Sequence, residues 1–292
     1  MATGFYNFKV LPEYDGMTAR NYLRRICGLT ARSMTVLKAI EGGISRGGAL
    51  LRSCDIVYAG DTIEIYLPDE ICGIEPVAGD LDILYEDEYL LVVNKPACMP
   101  VHPTKVHQTD TLANIVSFYQ KARGESYTFR ALNRLDKDTS GCVLIAKDRL
   151  SYALLQPTVS KQYIAVCEGV LTEDGVIDAP IALCEDSKIK HCVSDSGKRA
   201  ITQYTPIRHG NGHTLLRLVL LTGRTHQIRC HLSSIGHPLA GDDLYGGSRA
   251  LIGRQTLHCS QIIFRHPITK AFVELQAPVP QEFYDLVDGL AT

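Results

Sequence analysis

The sequence predicts an α+β chain with a mixed, mainly antiparallel sheet, preceded by a small N-terminal α/β domain. Three observations carry that expectation. Short apolar runs with strand character recur through the C-terminal two thirds, separated by turns and only a few helical segments. A basic segment near the N-terminus carries its own helix and strand periodicities. Between them, Asp69 to Asp80 is acidic, broken by Gly73, Pro76 and Gly79, and has neither period. A length of 292 residues suits one small accessory domain and one larger domain. The expected division is 1–75, including the linker, and 76–292.

Taken in order, Ala19, Tyr22, Leu23 and Ile26 recur at i, i+3, i+4 and i+7 behind a Thr18 cap. That spacing predicts an amphipathic helix with Arg20, Arg24 and Arg25 off its apolar stripe. Met34, Leu37 and Ile40 predict a second helix ending at Gly42-Gly43, and Ile44 to Ala49 a tight turn between short strands. Ile63, Ile65 and Leu67 alternate as a closing strand. From Met17 to Arg52 the cations Arg20, Arg24, Arg25, Arg32, Lys38, Arg46 and Arg52 face only Glu41 within the segment. Beyond the linker, Leu90–Val93, Cys142–Ala146, Tyr163–Val166 and Leu215–Leu221 read as strands. Leu112, Ile115, Val116 and Tyr119 fit one helix, and Ile228, Leu232 and Ile235 another that starts near Thr225.

Composition narrows the function classes. Apolar residues at 45% and charged residues at 21% match a globular chain with a substantial core rather than a disordered one. No apolar run approaches the ~20 residues that span a bilayer, and the first residues lack a signal-peptide apolar stretch, so a cytoplasmic protein is expected. The 10 cysteines are scattered without a Cys-x-x-Cys pair, which favours buried reduced thiols over disulfides or zinc. His226 and His231 lie five apart, not the helical spacing of four that a metal pair prefers, so no metal is expected. With a net charge of only −2, any nucleic-acid footprint must be local.

Three constellations carry the chemistry. Asn133 to Gly141 (Asn-Arg-Leu-Asp-Lys-Asp-Thr-Ser-Gly) is a polar, turn-prone stretch feeding an apolar strand, a place to hold a carboxylate at a sheet rim. Spacing alone does not choose between Asp136 and Asp138, both plausible turn residues. Lys161-Gln162-Tyr163-Ile164-Ala165 is the second. The third, Thr222 to Arg229 (Thr-Gly-Arg-Thr-His-Gln-Ile-Arg), crosses from a strand into a helix start.

Together with Glu86 to Pro96, His102-Pro103, Gly197 to Thr202, Gly236 to Asp242 and Tyr245-Gly246, these segments closely resemble the RluA-type pseudouridine synthase family, in the family's order over nearly the whole chain. The segment from about Met17 to Leu67 resembles, more loosely, the S-four-type RNA-binding domain that many members carry. The resemblance implies an isomerase that converts uridine to pseudouridine in structured RNA with no cofactor. It implies that Asp136 is the catalytic aspartate, that Tyr163 packs on the target base and that Arg229 pairs with the aspartate. These roles are chemically sensible. An ionised carboxylate can attack the sugar or the base, or stabilise or deprotonate an intermediate, and a neighbouring Arg⁺ favours its ionised form. A uracil must also be flipped out of folded RNA before it is reached, and an aromatic wall can receive it. Arg134, Arg224 and His226 join Arg20, Arg24, Arg25, Arg32 and Lys38 as candidate RNA contacts.

Two positions depart from the family pattern: Asn133 stands where many members have His, and Cys98 where Gly is usual. The stretch Ile181 to Lys188 also lacks the basic pattern often found after Pro-Ile. Ribosomal RNA is the expected target, with transfer RNA the alternative, and no obligate protein partner or membrane is expected. Two rival classes remain: a non-catalytic RNA-binding or ribosome-assembly protein, and a glycoside hydrolase. The hydrolase would need a second positioned carboxylate, and Asp138 is too near Asp136 to serve.

Overall fold

The structure, a computed structural model, describes residues 4–67 and 72–290. The first part builds a four-stranded antiparallel sheet from β1 (Phe5–Lys9), β2 (Ile44–Arg46), β3 (Ala49–Leu50) and β4 (Thr62–Tyr66), in the order β1-β4-β2-β3. Two helices, α1 (Ala19–Arg25) and α2 (Ala31–Lys38), complete it. The periodicities are realised as buried stripes: Ala19, Tyr22 and Leu23 from α1, Met34 and Leu37 from α2, and Ile63 and Ile65 from β4 enclose one core. Thr18 occupies the α1 cap position with extended backbone but makes no side-chain cap bond, whereas Thr30 does cap α2 by accepting from Ser33 N–H at 3.0 Å. The positive-φ pair Gly47 and Gly48 forms the β2–β3 turn.

The linker expected from Asp69 to Asp80 lies partly outside the described residues, at 69–71; from Cys72 to Asp80 there is neither helix nor strand. A second, ten-stranded sheet then begins at β5 (Ile83–Glu86) and β6 (Leu90–Lys95), continues after α3 (Leu112–Ala122) with β7 (Arg130–Ala131) and β8 (Ser140–Ala146), and after α4 (Arg149–Leu155) with β9 (Ser160–Glu168) and β10 (Gly175–Asp178). A two-stranded hairpin, β11 (Ile181–Leu183) and β12 (His191–Val193), stands off it. The sheet is completed by β13 (Ile201–Gly210), β14 (His213–Leu220), β15 (Leu257–Arg265) and β16 (Phe272–Gln276), while α5 (Gln227–Ser234) precedes β15 and α6 (Gln281–Asp288) closes the described chain. The main path runs β10-β13-β14-β9-β15-β8-β6-β5, and every pairing is antiparallel except β15 with β8. The fold is α+β, as the strand runs predict. No helix among the described residues is long and apolar enough to cross a membrane.

Where β8 meets β15, a side chain at Gly141 would strike the backbone of Cys259 at 2.2 Å, and its φ is +108°. Only glycine lets the two strands approach there, so the Gly of the Thr-Ser-Gly run is a packing requirement. Asn133, buried ahead of β8, donates to Cys142 O at 2.8 Å and accepts from Leu144 N–H at 3.0 Å, extending the ladder with its side chain.

The two sheets are tied together by α4. Leu150 belongs to the N-terminal core, Leu154 packs over Gly28, and Asp148, whose Oδ1 caps α4 at Leu150 N–H and Ser151 N–H, takes the Tyr6 hydroxyl on Oδ2. One carboxylate thus serves both a helix end and a contact between sheets.

Two details differ from what the sequence predicts. Ile235, assigned to the apolar face of α5, lies just past its end and is 39% exposed, because α5 stops at Ser234. The expectation of buried thiols holds for Cys27, Cys142, Cys167, Cys230 and Cys259, but Cys54 and Cys98 are exposed and Cys72, Cys184 and Cys192 half-buried. Composition does not reveal that turns hold two of the ten. Cys98 has φ +61°, the left-handed region, which gives a physical reason for glycine at that position in the family pattern.

Candidate active site

The cleft is assembled from four segments of the large sheet. Asp136 sits in the loop between β7 and β8, closed into a turn by Thr139 N–H donating to Asp136 O at 3.1 Å. Leu135 next to it is buried in the main core, which leaves Asp136 to face outward, its side chain 31% exposed. Behind the loop, the Nζ of fully buried Lys95 on β6 donates to the carbonyls of Pro96, Met99 and Lys137, at 2.8, 2.7 and 3.1 Å. Burial pulls the Lys95 ammonium down to about 7, against the opposing pull of Asp138 and Asp136.

Tyr163 comes from the middle of β9 and forms one wall, buried in the main core. Burial, then the neighbouring Cys259 and Asp136, push its hydroxyl well above the usual phenol range, so the ring presents a neutral face.

Arg229 comes from the first turns of α5. Its Nε and Nη2 donate to the two oxygens of Asp242 at 2.7 and 2.8 Å, and its Nη1 to Asp136 Oδ2 at 3.0 Å. The Asp242 side chain is fully buried, so its charge is matched by the guanidinium in a bidentate pair. The Tyr245 ring stacks beneath at 5.0 Å. Burial works against the Arg229 charge, but the two carboxylates more than offset it and hold the proton more tightly than in water.

The turn before α5 is pinned by Gln227, fully engaged: Oε1 accepts from Thr222 Oγ1 and Arg224 N–H at 2.9 and 3.0 Å, and Nε2 donates to Ile201 O and Thr202 Oγ1 at 3.0 and 3.1 Å. His226, immediately before it, lies in the left-handed region, at φ +54°. Its Nε2 lies 3.7 Å from Asp136 Oδ2, and its Nδ1 3.1 Å from the Tyr245 hydroxyl.

The structure therefore gathers Asp136, Tyr163, Arg229, Arg134, Arg224 and His226 around one cleft. Arg134 and Arg224 are exposed at its mouth. Asp138, the other carboxylate of the loop, does not line it, and its carbonyl accepts from Arg254 at 3.2 Å. Arg20, Arg24, Arg25, Arg32 and Lys38 do not join the cleft; all five are exposed on α1 and α2 of the N-terminal unit. Arg46 of the same basic segment is committed elsewhere, paired with Asp61 at 2.9 Å. Sequence reasoning gave no role to Asp242 or Tyr245. Their signal was present in Gly241-Asp242 and Tyr245-Gly246, but nothing in the spacing says that they reach Arg229.

Chemically, the arrangement offers an anchored carboxylate beside a cation, a flat neutral aromatic wall and a ring of cationic groups outside. It suits a planar base carried into the cleft on a phosphate backbone.

Comparison with known proteins points the same way. A family model described as RNA pseudouridylate synthase matches residues 89–234. The chain is 40% identical over 240 residues to the uncharacterized RNA pseudouridine synthase YhcT of Bacillus subtilis (strain 168), covering 79% of this chain and 80% of that one. It is 38% identical over 271 residues to the ribosomal large subunit pseudouridine synthase D of Pseudomonas aeruginosa, covering 86% and 84%. Among solved structures, the human RNA pseudouridylate synthase domain containing 1 superimposes with a TM-score of 0.60 at 26% identity, over 75% of this chain and 91% of that one.

Proposed function

This chain belongs to the RNA pseudouridylate synthase family and is an isomerase acting on uridines of RNA, and on that premise we propose that Asp136 is the carboxylate that carries the reaction. The observation behind this is the placement of Asp136 Oδ2 on Arg229 Nη1, in a cleft walled by Tyr163. Isomerisation requires the bond between ribose and uracil N1 to break, the base to be kept and turned, and a bond to C5 to form. A carboxylate hydrogen-bonded to Arg229 is suited to the charge that develops at the sugar, and Tyr163 to stacking on the base while it turns.

In this reading Arg134, Arg224 and His226 meet the RNA around the cleft. Residues 1–75 form an RNA-binding domain whose Arg20, Arg24, Arg25, Arg32 and Lys38 contact phosphates, and 76–292 form the catalytic domain. The proposed target is ribosomal RNA, which the name of the Pseudomonas relative specifies for that protein. The enzyme then works in the cytoplasm on RNA without an obligate protein partner.

Mapping pseudouridines in ribosomal and transfer RNA from cells lacking the gene, complemented with the native or the Asp136→Asn chain, tests this. Loss at one ribosomal uridine, restored by the native chain alone, is expected. A restored site in transfer RNA would move the target, and restoration by Asp136→Asn would overturn the assignment.

A further inference from the structure

Beyond the attack at the sugar, the reaction must move a proton from one atom of the base to another. When C5 of the turned uracil bonds to the ribose, the C5=C6 electron pair makes the new bond, and C5 then carries both the sugar and its original hydrogen. Pseudouridine has no hydrogen at C5 and one at N1, so a proton must leave C5 and another must reach N1. Asp136 is the group already engaged at the sugar. A basic side chain of the cleft that is not aimed at the sugar can take the C5 proton while Asp136 leaves the ribose.

Tyr163 is poorly suited, because burial keeps its hydroxyl protonated and a neutral phenol is a weak base. The arginines of the cleft are set aside because a guanidinium has no lone pair to accept a proton. His226 differs from all of these. It lines the cleft, its Nε2 is 3.7 Å from Asp136 Oδ2, and its backbone is held at φ +54°, a conformation uncommon for a residue with a side chain. Its Nδ1 meets the Tyr245 hydroxyl at 3.1 Å, an oxygen that already accepts from His191 N–H at 2.9 Å. When Nδ1–H donates to that oxygen, Nε2 is left with a lone pair beside the carboxylate.

The geometry points to His226 as the base that removes the C5 proton, a role distinct from phosphate contact. The C5–H bond breaks and its electron pair re-forms C5=C6. The C6=N1 pair returns to N1, which takes a proton from water, and the proton held on Nε2 passes back to water. Electrons and protons balance with no external oxidant. The imidazolium formed on the way is stabilised by Asp136 at 3.7 Å. The charged and titratable groups facing the ring are Asp136 from the loop before β8, Arg229 on its own helix, His191 from β12, and Asp242 and Tyr245 from the segment after α5. Burial, only partly opposed by Asp136, holds the free imidazole neutral and ready to accept.

The assignment rests on the reading of the Asp136 cleft as the receiver of the target uridine, and the test separates the two. His226→Asn and His226→Gly both tolerate the left-handed backbone, so neither strains the turn. With the native enzyme active on the same RNA as control, both variants should bind RNA within about 3-fold of native. Single-turnover isomerisation should fall roughly 10² to 10³-fold, the usual worth of a positioned base. Deuterium at uridine C5 should slow the variants more than the native enzyme, because C5 proton removal has become limiting, and added imidazole should restore part of the His226→Gly rate. Near-native turnover by His226→Asn would overturn the assignment. So would a loss with neither a C5 isotope effect nor imidazole rescue, which would make His226 a positioning residue. An inactive native enzyme would instead overturn the reading of the cleft itself.

Discussion

Asp242 holds Arg229 from behind through two hydrogen bonds of 2.7 and 2.8 Å, leaving one guanidinium nitrogen free to reach Asp136 at 3.0 Å. The cation is thereby fixed in direction as well as position, since a bidentate pair locks the guanidinium plane. Asp136 is itself half-buried on its loop, and it is oriented by a partner that cannot swing away.

Asp136→Asn should abolish isomerisation while leaving RNA affinity within a few fold, because the proposed role lies in bond making rather than in phosphate contact. Asp138→Ala, outside the cleft, should be far milder. A mass-spectrometric assay of purified RNA and enzyme reads both, and near-normal turnover by Asp136→Asn would refute the mechanism.

Arg229→Met should destabilise the fold by about 3–5 kcal/mol, because it strands the fully buried Asp242 without a partner. The double change Arg229→Met, Asp242→Leu should recover much of that loss, since removing both charges also removes the unpaired one. Urea unfolding of the single and double variants measures the difference. Equal instability of both would mean that packing, not the stranded charge, sets the cost.

Stability should fall on mild acidification, and His258 is the group to watch. Nearly fully buried, with Nδ1 at 2.8 Å from Ser140 Oγ and Nε2 at 3.3 Å from Ala277 O, its ring is pulled down to about 4 by burial, helped by Arg254 and opposed by the Ala277 carbonyl. The folded value lies below the unfolded one, ~6.5. Between these values the unfolded chain binds the extra proton, so stability is lost as pH drops from about 6.5 to about 4. The loss is on the order of 3 kcal/mol by the usual conversion. His258→Gln should flatten the decline in urea midpoints measured from pH 7 to pH 4.5, and an unchanged decline would assign it to other groups.

Cys98→Gly should raise stability by roughly 0.5–1 kcal/mol. A left-handed residue with a Cβ costs ~1–2 kcal/mol, and the greater freedom of glycine in the unfolded chain returns part of it. Cys98 is exposed, so little packing is sacrificed. A thermal melt under reducing conditions reads the change; a lower midpoint would mean that the Cys98 side chain makes interactions that outweigh its strain.

The strands and the stripe residues were legible in the sequence because burial on one face imposes a period, as in Ile63 and Ile65, and burial on both faces a continuous apolar run, as in β8. Asp136, Tyr163 and Arg229 were legible only through the ordered motifs. They are separated by up to 93 positions, and no local pattern says that they converge. Asp242 and Tyr245 stayed without a role because their work is done through Arg229, a relationship of packing rather than of spacing. The positive φ at Cys98 and His226 went unread, although the glycine usual at the first position in the family pattern is its sequence signal. The end of α5 was misjudged by one residue, because the apolar period runs on to Ile235 while the chain already turns there towards Gly236, at φ +84°.

The exposed arginines of α1 should govern how steeply RNA affinity depends on salt. The large sheet and the N-terminal unit are joined through Tyr6, Asp148 and Leu150, so phosphates bound on α1 would be fixed relative to the cleft. Arg20, Arg24 and Arg25 are all exposed, while the residues that anchor α1 are Ala19, Tyr22 and Leu23, so replacing the three arginines should leave the fold intact. Each phosphate that an arginine neutralises adds roughly 0.7 to 0.9 to the slope of log affinity against log salt. The triple Gln variant should therefore bind many RNAs more weakly, with a slope shallower by about 2. Chemistry on a short, saturating RNA should largely survive, because these residues are remote from Asp136. A solvated helix face without a ligand predicts the opposite: native affinity, an unchanged slope and only a small change in stability. Titrations at several salt concentrations, with circular dichroism as the folding control, distinguish the two, and an unchanged slope would remove the RNA-binding role proposed for α1.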